Sequence, residues 1–300
     1  MTLLRKLSGA LAFSLFAAFS AVQADEVTVK QGDIELRGDL TLADGKAVKD
    51  GVILMLHGTL ANNKMEIMQS LTDLLKERGY NTLSVNLSFG IDKRPSDMLD
   101  CTIEHKHKHA DAVAELDTWM NWLKGEGAEK VVVLGHSRGG NQASWYAAEK
   151  DSDLLEKVVA IAPATSDPEN AAKEYEERYK KPLADIMAEA SKLVEAGKGD
   201  TLMEVPGFVY CENAKATADA VIGYYQDDER RNTPSLLPKI KKPMLIVMGS
   251  ADEVVADLPA KLEGVTQDNL KVETVEGADH FFLDLYADEL ADKIADFVAW

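Results

Sequence analysis

An α/β fold built on a doubly wound, mostly parallel sheet of eight strands is the architecture this sequence predicts, on three observations. Short apolar runs without polar alternation recur at residues 51–56, 131–134, 156–162 and 242–249, as expected of strands covered on both faces. Between them lie segments with apolar residues at helical spacing. Strands alternating with helices imply parallel pairing. Ahead of them, residues 26–42 instead alternate apolar and polar side chains around Gln31-Gly32-Asp33, which predicts an antiparallel pair ending at the Ala43-Asp44-Gly45 turn.

The remaining elements follow in order. Past the strand over 51–56 stands His57-Gly58-Thr59-Leu60. Met65, Met68, Leu71, Leu74 and Leu75 place a helix over 64–78, and Gly79 stops it. A strand over 80–87 leads into a loop, 88–102, with Gly90 and Pro95. The histidine-rich EHKHKH then brings His105, His107 and His109 with lysines between them and no acid or cysteine at convincing ligand spacing. It reads as a solvated helix start rather than a metal site. Val113, Leu116, Trp119, Met120 and Leu123 share one face of a helix over 110–124. The strand over 131–134 precedes a helix over 141–150, and a strand over 156–162 is closed by Pro163.

Residues 164–235 break the rhythm. They are rich in Glu, Ala and Lys, with helices at about 168–180 and 182–196. An irregular remainder holds Pro206, Phe208, Tyr210, Cys211, Tyr224 and Tyr225. The alternation resumes with a strand over 242–249, a short helix near 258–262, a strand over 270–275 and a final helix over 286–300. With no internal repeat or linker in the chain, 164–235 reads as a helical cap inserted after strand six, between core segments 25–163 and 236–300.

Composition narrows the function. The 300 residues are 46% hydrophobic and 28% charged, enough to bury a large core. Arg5 and Lys6 precede an uncharged apolar run over 7–21, and Val22-Gln23-Ala24 offers a small-residue cleavage pattern. Residues 1–24 therefore read as a signal peptide cut near Ala24, leaving a periplasmic or secreted protein with no stable membrane span. The formal net charge is −18, and removing two cations with the leader makes the remainder more acidic still. Such a chain is a poor partner for nucleic acid or an anionic membrane. The two cysteines, Cys101 and Cys211, are expected to bridge in an oxidising compartment, with a pair of buried thiols as the alternative.

The chemistry concentrates after the strand over 131–134, at Gly135-His136-Ser137-Arg138-Gly139. Strand, G-x-S-x-G, helix is the setting of a nucleophile elbow, in which the serine sits on a tight turn at the sheet edge. Asp252 follows the strand over 242–249, and His280 follows the strand over 270–275. Groups just past the carboxyl ends of parallel strands gather on one edge, so all three converge although they are far apart in sequence. A serine hydroxyl needs a base, an imidazole serves as one near neutral pH, and a carboxylate fixes its tautomer. Backbone amides of Thr59 and Arg138 are placed to form an oxyanion hole, with Leu60 as an alternative donor.

In the order HG, GHSRGG, GSAD and GADH, the chain resembles the α/β-hydrolases over nearly all of residues 26–300. That resemblance implies a Ser137–Asp252–His280 triad, Thr59 and Arg138 as oxyanion donors, no cofactor or metal, and a small-molecule ester as substrate. Leu60, Phe208, Tyr210, Tyr224 and Tyr225 are candidate pocket residues. For the aromatic four, gluing the cap to the core is an equal alternative. An amidase or peptidase of the same fold competes, although no pocket for a charged substrate end is legible. A catalytically silent binding protein on the same scaffold is the reading from a different class.

Overall fold

A computed structural model describes residues 24–150 and 152–300. The predicted leader, apart from Ala24, lies outside them. Among the described residues no helix is long and apolar enough to cross a membrane.

The sheet strands are β1 (Asp25–Gln31), β2 (Ile34–Thr41), β3 (Val52–Leu56), β4 (Asn81–Asn86), β6 (Val131–His136), β7 (Leu155–Ile161), β10 (Met244–Gly249) and β11 (Leu270–Val275). They form one eight-stranded sheet in the order β1-β2-β4-β3-β6-β7-β10-β11. β1–β2 and β2–β4 pair antiparallel, and every other pair is parallel. The interleaved helices are α1 (Glu66–Glu77), α2 (Asp111–Gly125), α3 (Arg138–Glu149), α8 (Leu258–Leu262) and α9 (Leu285–Val298). α3 starts directly after Ser137, three residues ahead of its sequence expectation, because the elbow turn feeds the helix with no spacer.

The apolar runs behave as covered strands. Val131, Val132, Val133 and Leu134 are all 0% exposed. Burying each such side chain is worth about 1.5–3 kcal/mol, so the strand carrying the elbow is among the least movable parts of the fold.

Between β7 and β10 the chain departs from expectation. α4 (Pro168–Tyr179) and α5 (Leu183–Glu195) are the predicted helices. Asp167 caps α4 by accepting from the amides of Glu169 and Asn170. The stretch expected to be irregular is a hairpin of β8 (Leu202–Phe208) and β9 (Cys211–Thr217), followed by α6 (Ala218–Tyr225) and α7 (Thr233–Leu236). The segment is therefore mixed α and β rather than helical. Pro206 is compatible with β8 because that strand lies at the edge of its sheet, where a missing amide leaves no ladder position open.

β9 pairs on its other side with β5 (Glu104–His105), in the histidine-rich stretch. That stretch is not a solvated helix start: His105, His107 and His109 are 0%, 1% and 2% exposed. Each successive histidine turns inward and each lysine outward, the period of an extended chain. A second apolar cluster, distinct from the sheet core, gathers Leu60, Leu99, Phe208, Val221 and Tyr224. A disulfide between Cys101 and Cys211 ties the loop ahead of β5 to the start of β9. It closes a loop across 110 residues, the kind of crosslink that restricts the unfolded chain most.

Candidate active site

Four parallel strands deliver the candidate residues to one edge. Thr59 lies past β3, Ser137 past β6, Asp252 past β10 and His280 past β11. Ser137 has φ 58° and ψ −122°, a conformation non-glycine residues rarely adopt. The turn is fixed from both sides: the Ser137 amide donates to Ile161 O at 2.8 Å, and Ser137 O accepts from the amides of Gly140 and Ala164. A side chain at Gly135 or Gly139 is incompatible with this turn. A Cβ at Gly135 would lie 2.1 Å from Gly139 O, and one at Gly139 would lie 2.4 Å from His57 O.

The three polar groups form a hydrogen-bonded chain. His280 Nε2 lies 2.9 Å from Ser137 Oγ, and His280 Nδ1 lies 2.8 Å from Asp252 Oδ2. With the carboxylate accepting from Nδ1–H, Nε2 is left as the acceptor for the serine hydroxyl. Burial alone would raise the Asp252 carboxyl. Its bond to His280 and those from the Val254 and Val255 amides outweigh that, holding it below the usual carboxylate range. Asp252, not the adjacent Glu253, meets the imidazole.

Two further histidines brace the arrangement. His136 Nε2 donates to the carbonyl of His280 at 2.8 Å, and the two rings lie 4.8 Å apart. His57 donates from Nδ1 to Gly58 O and accepts at Nε2 from the Leu87 amide, which leaves it neutral. Burial pushes His57 down to about 3 and His136 to about 4.

Ser137 opens onto a cavity of about 380 Å³ whose lining includes Thr59, Arg138, Tyr210, Tyr224, Tyr225 and Arg231. Leu60 and Phe208 are not part of that lining. Both are buried, at 5% and 0% exposure, in the second apolar cluster behind it, where Phe208 packs edge-on against Tyr224 and Tyr225. Tyr175 and Tyr179 of α4 join the wall, and their hydroxyls donate to Gly207 O and Val209 O. Tyr225 OH accepts from the Val209 amide, so three tyrosines clamp the β8–β9 turn over the cavity.

Arg138, Arg178 and Arg231 also face this space. Asp167, Glu174, Glu253 and Asp257 line it as well, so charges of both signs surround the cavity. Arg231 ends a single 3-10 turn, Glu229–Arg231, too short to leave a periodic pattern. The Arg138 side chain donates to Thr59 Oγ1 at 2.8 Å and to His109 Nδ1 at 3.0 Å, while His109 Nε2 donates to Asn141 Oδ1 at 2.8 Å. The histidine stretch therefore orients the residue next to the serine. His107, 2.8 Å from Tyr224 OH through Nδ1, is held down to about 3, by burial first and His105 second.

The buried histidines make stability depend on pH in a definite direction. Below pH 6.5 the unfolded chain takes up protons that folded His57, His107 and His136 refuse, so stability falls as pH falls. At pH 5 the cost is about 2 kcal/mol for each. Glu115, pushed up to about 7 by burial, works in the opposite sense. Its folded form gains a proton that the unfolded form lacks, offsetting about one histidine. A urea midpoint clearly lower at pH 5 than at pH 7.5 is expected. An equal or higher one would show that these rings are protonated in the fold.

The model of the alpha/beta hydrolase family matches residues 53–293. No curated protein matches the chain by sequence. Among solved structures, Est1E from Butyrivibrio proteoclasticus is 18% identical with a TM-score of 0.64, covering 91% of this chain and 97% of its own. An esterase of Pyrococcus furiosus is 18% identical with a TM-score of 0.60, over 93% and 91% of the two chains. The monoacylglycerol lipase of Paleococcus ferrophilus is 17% identical with a TM-score of 0.59, over 88% and 98%. At such identities these likenesses speak to the fold.

Proposed function

The chain belongs to the alpha/beta hydrolase family, and from that membership we propose that it is a serine hydrolase cleaving a carboxylic ester through an acyl-enzyme on Ser137. The observation that carries the reading is the unbroken hydrogen-bonded chain from Ser137 Oγ through His280 to Asp252. Ser137 attacks the acyl carbonyl while His280 Nε2 takes its proton, and Asp252 stabilises the imidazolium. Amides of Thr59, on the wall of the same cavity, and of Arg138, next after Ser137, donate to the developing oxyanion. His280 returns the proton to the leaving alcohol, and water repeats the sequence to release the acid.

Two neighbours in fold are named as an esterase and a lipase, which agrees with ester chemistry here. In this reading residues 164–235 form a cap over the serine, their tyrosines walling the cavity. The protein is exported, in keeping with its leader sequence and with a disulfide suited to an oxidising compartment. Matched substrates test the bond class. Turnover of 4-nitrophenyl butyrate with none of the corresponding anilide is expected, and comparable turnover of both would move the assignment to an amidase.

A further inference from the structure

Arg138, next to Ser137, and Arg231, on the wall of the same cavity, have no carboxylate partner. Arg138 donates only to the neutral acceptors Thr59 Oγ1 and His109 Nδ1, with its Cζ 5.2 Å from the Tyr224 ring centre. Arg231 Nε is buried with no hydrogen-bond partner. The acid near it, Asp228, is held in a fork by Arg230, with Nε–Oδ1 at 2.9 Å and Nη2–Oδ2 at 2.7 Å. Among the described residues the arginines that form ion pairs are Arg37, Arg78 and Arg230. Burial first, and the Arg138 charge second, hold Arg231 below its ordinary range.

Four acids also line the cavity, and none of them pairs with Arg138 or Arg231. Asp257 is engaged by Lys261 at 2.8 Å and by Thr165 Oγ1 at 2.6 Å, and Asp167 is spent capping α4. Glu174 and Glu253 are exposed. Arg138 and Arg231 thus stay without a carboxylate partner within a chain of net charge −18, in which acids to pair them are plentiful. Holding two like charges together, part-buried and unpaired, is costly unless a ligand supplies the counter-charge.

We infer that the substrate carries a carboxylate, received between Arg231 and Arg138 while Ser137 attacks its ester bond. Planar guanidinium forks match a carboxylate bidentately, and partial burial strengthens the pairing. The substrate class is therefore the half-ester of a dicarboxylic acid or an ester whose alcohol bears an acid group. This inference rests on Ser137 being the nucleophile.

Two matched pairs of esters test it and locate the carboxylate. The 4-nitrophenyl half-ester of glutaric acid against 4-nitrophenyl valerate places the charge on the acyl side. 4-Butyryloxybenzoate against phenyl butyrate places it on the alcohol side. In one pair kcat/KM for the anionic member is expected to exceed that of the neutral member by about tenfold or more, and Arg231→Gln to reduce that ratio by roughly 10- to 100-fold. Neutral members favoured in both pairs, or a ratio unmoved by Arg231→Gln, would overturn the inference while leaving the serine mechanism standing. If no ester is cleaved and no fluorophosphonate labels Ser137, the serine mechanism itself fails, and glutarate binding by titration calorimetry then decides the anion site alone. Binding weakened by Arg231→Gln supports it, and no binding overturns it.

Discussion

His280→Gln is expected to lower kcat by about 10⁶-fold, and Asp252→Asn by about 10⁴-fold, with KM near the parent value in both. The unequal sizes follow from the geometry. His280 Nε2, 2.9 Å from Ser137 Oγ, is the group placed to take the hydroxyl proton, and glutamine cannot take it. Asp252 acts one step back, through Nδ1 at 2.8 Å, so its loss leaves an imidazole with a mis-set tautomer rather than no base. Because both act as one unit with Ser137, the double variant should be no slower than His280→Gln alone. Steady-state kinetics on one short-chain ester checks all three. An Asp252→Asn enzyme keeping a tenth or more of the parent kcat would shift the orienting role to another acid, with Glu253 the nearest in sequence.

Gly135→Ala should be the most damaging small substitution in the core. Its Cβ would lie 2.1 Å from Gly139 O and 2.6 Å from Gly140 N, both backbone atoms of the elbow, so no side-chain rotation relieves the clash. β6 and α3 must separate, at a cost of at least about 3 kcal/mol together with loss of the Ser137 geometry. Gly125→Ala is the contrasting case. A Cβ there meets nothing within 4 Å at the end of α2, so stability should be unchanged or rise by up to about 1 kcal/mol. Thermal unfolding of the two variants separates a packing requirement at the elbow from a general sensitivity to glycine replacement.

Much of this was legible because the sheet writes itself plainly. Strands such as 131–134 and 244–247, covered on both faces, leave uninterrupted apolar runs. Once their order is known, residues just beyond their carboxyl ends are brought together by topology, which is why Ser137, Asp252 and His280 could be singled out from sites far apart in the chain. The segment between β7 and β10 was harder for identifiable reasons. Pro206 argues against a strand until β8 is known to be an edge. In EHKHKH the alternation of inward histidine and outward lysine was visible, but charge at every second position masked a buried, extended stretch. Phe208 was equally open to lining the pocket or packing the cap, and it lies behind the wall, because an aromatic residue in a hairpin does not disclose which face it packs on. Arg231 left no pattern at all, since a three-residue 3-10 turn is too short to show a period and its position follows from tertiary contacts.

The most direct test of the account is where a serine-directed reagent attaches. Peptide mass spectrometry after treatment with a fluorophosphonate should find one adduct per chain on Ser137, with none in Ser137→Ala and little in His280→Gln. An adduct on a different serine, or Ser137→Ala turning over esters at the parent rate, would contradict the claim that this hydroxyl is the nucleophile.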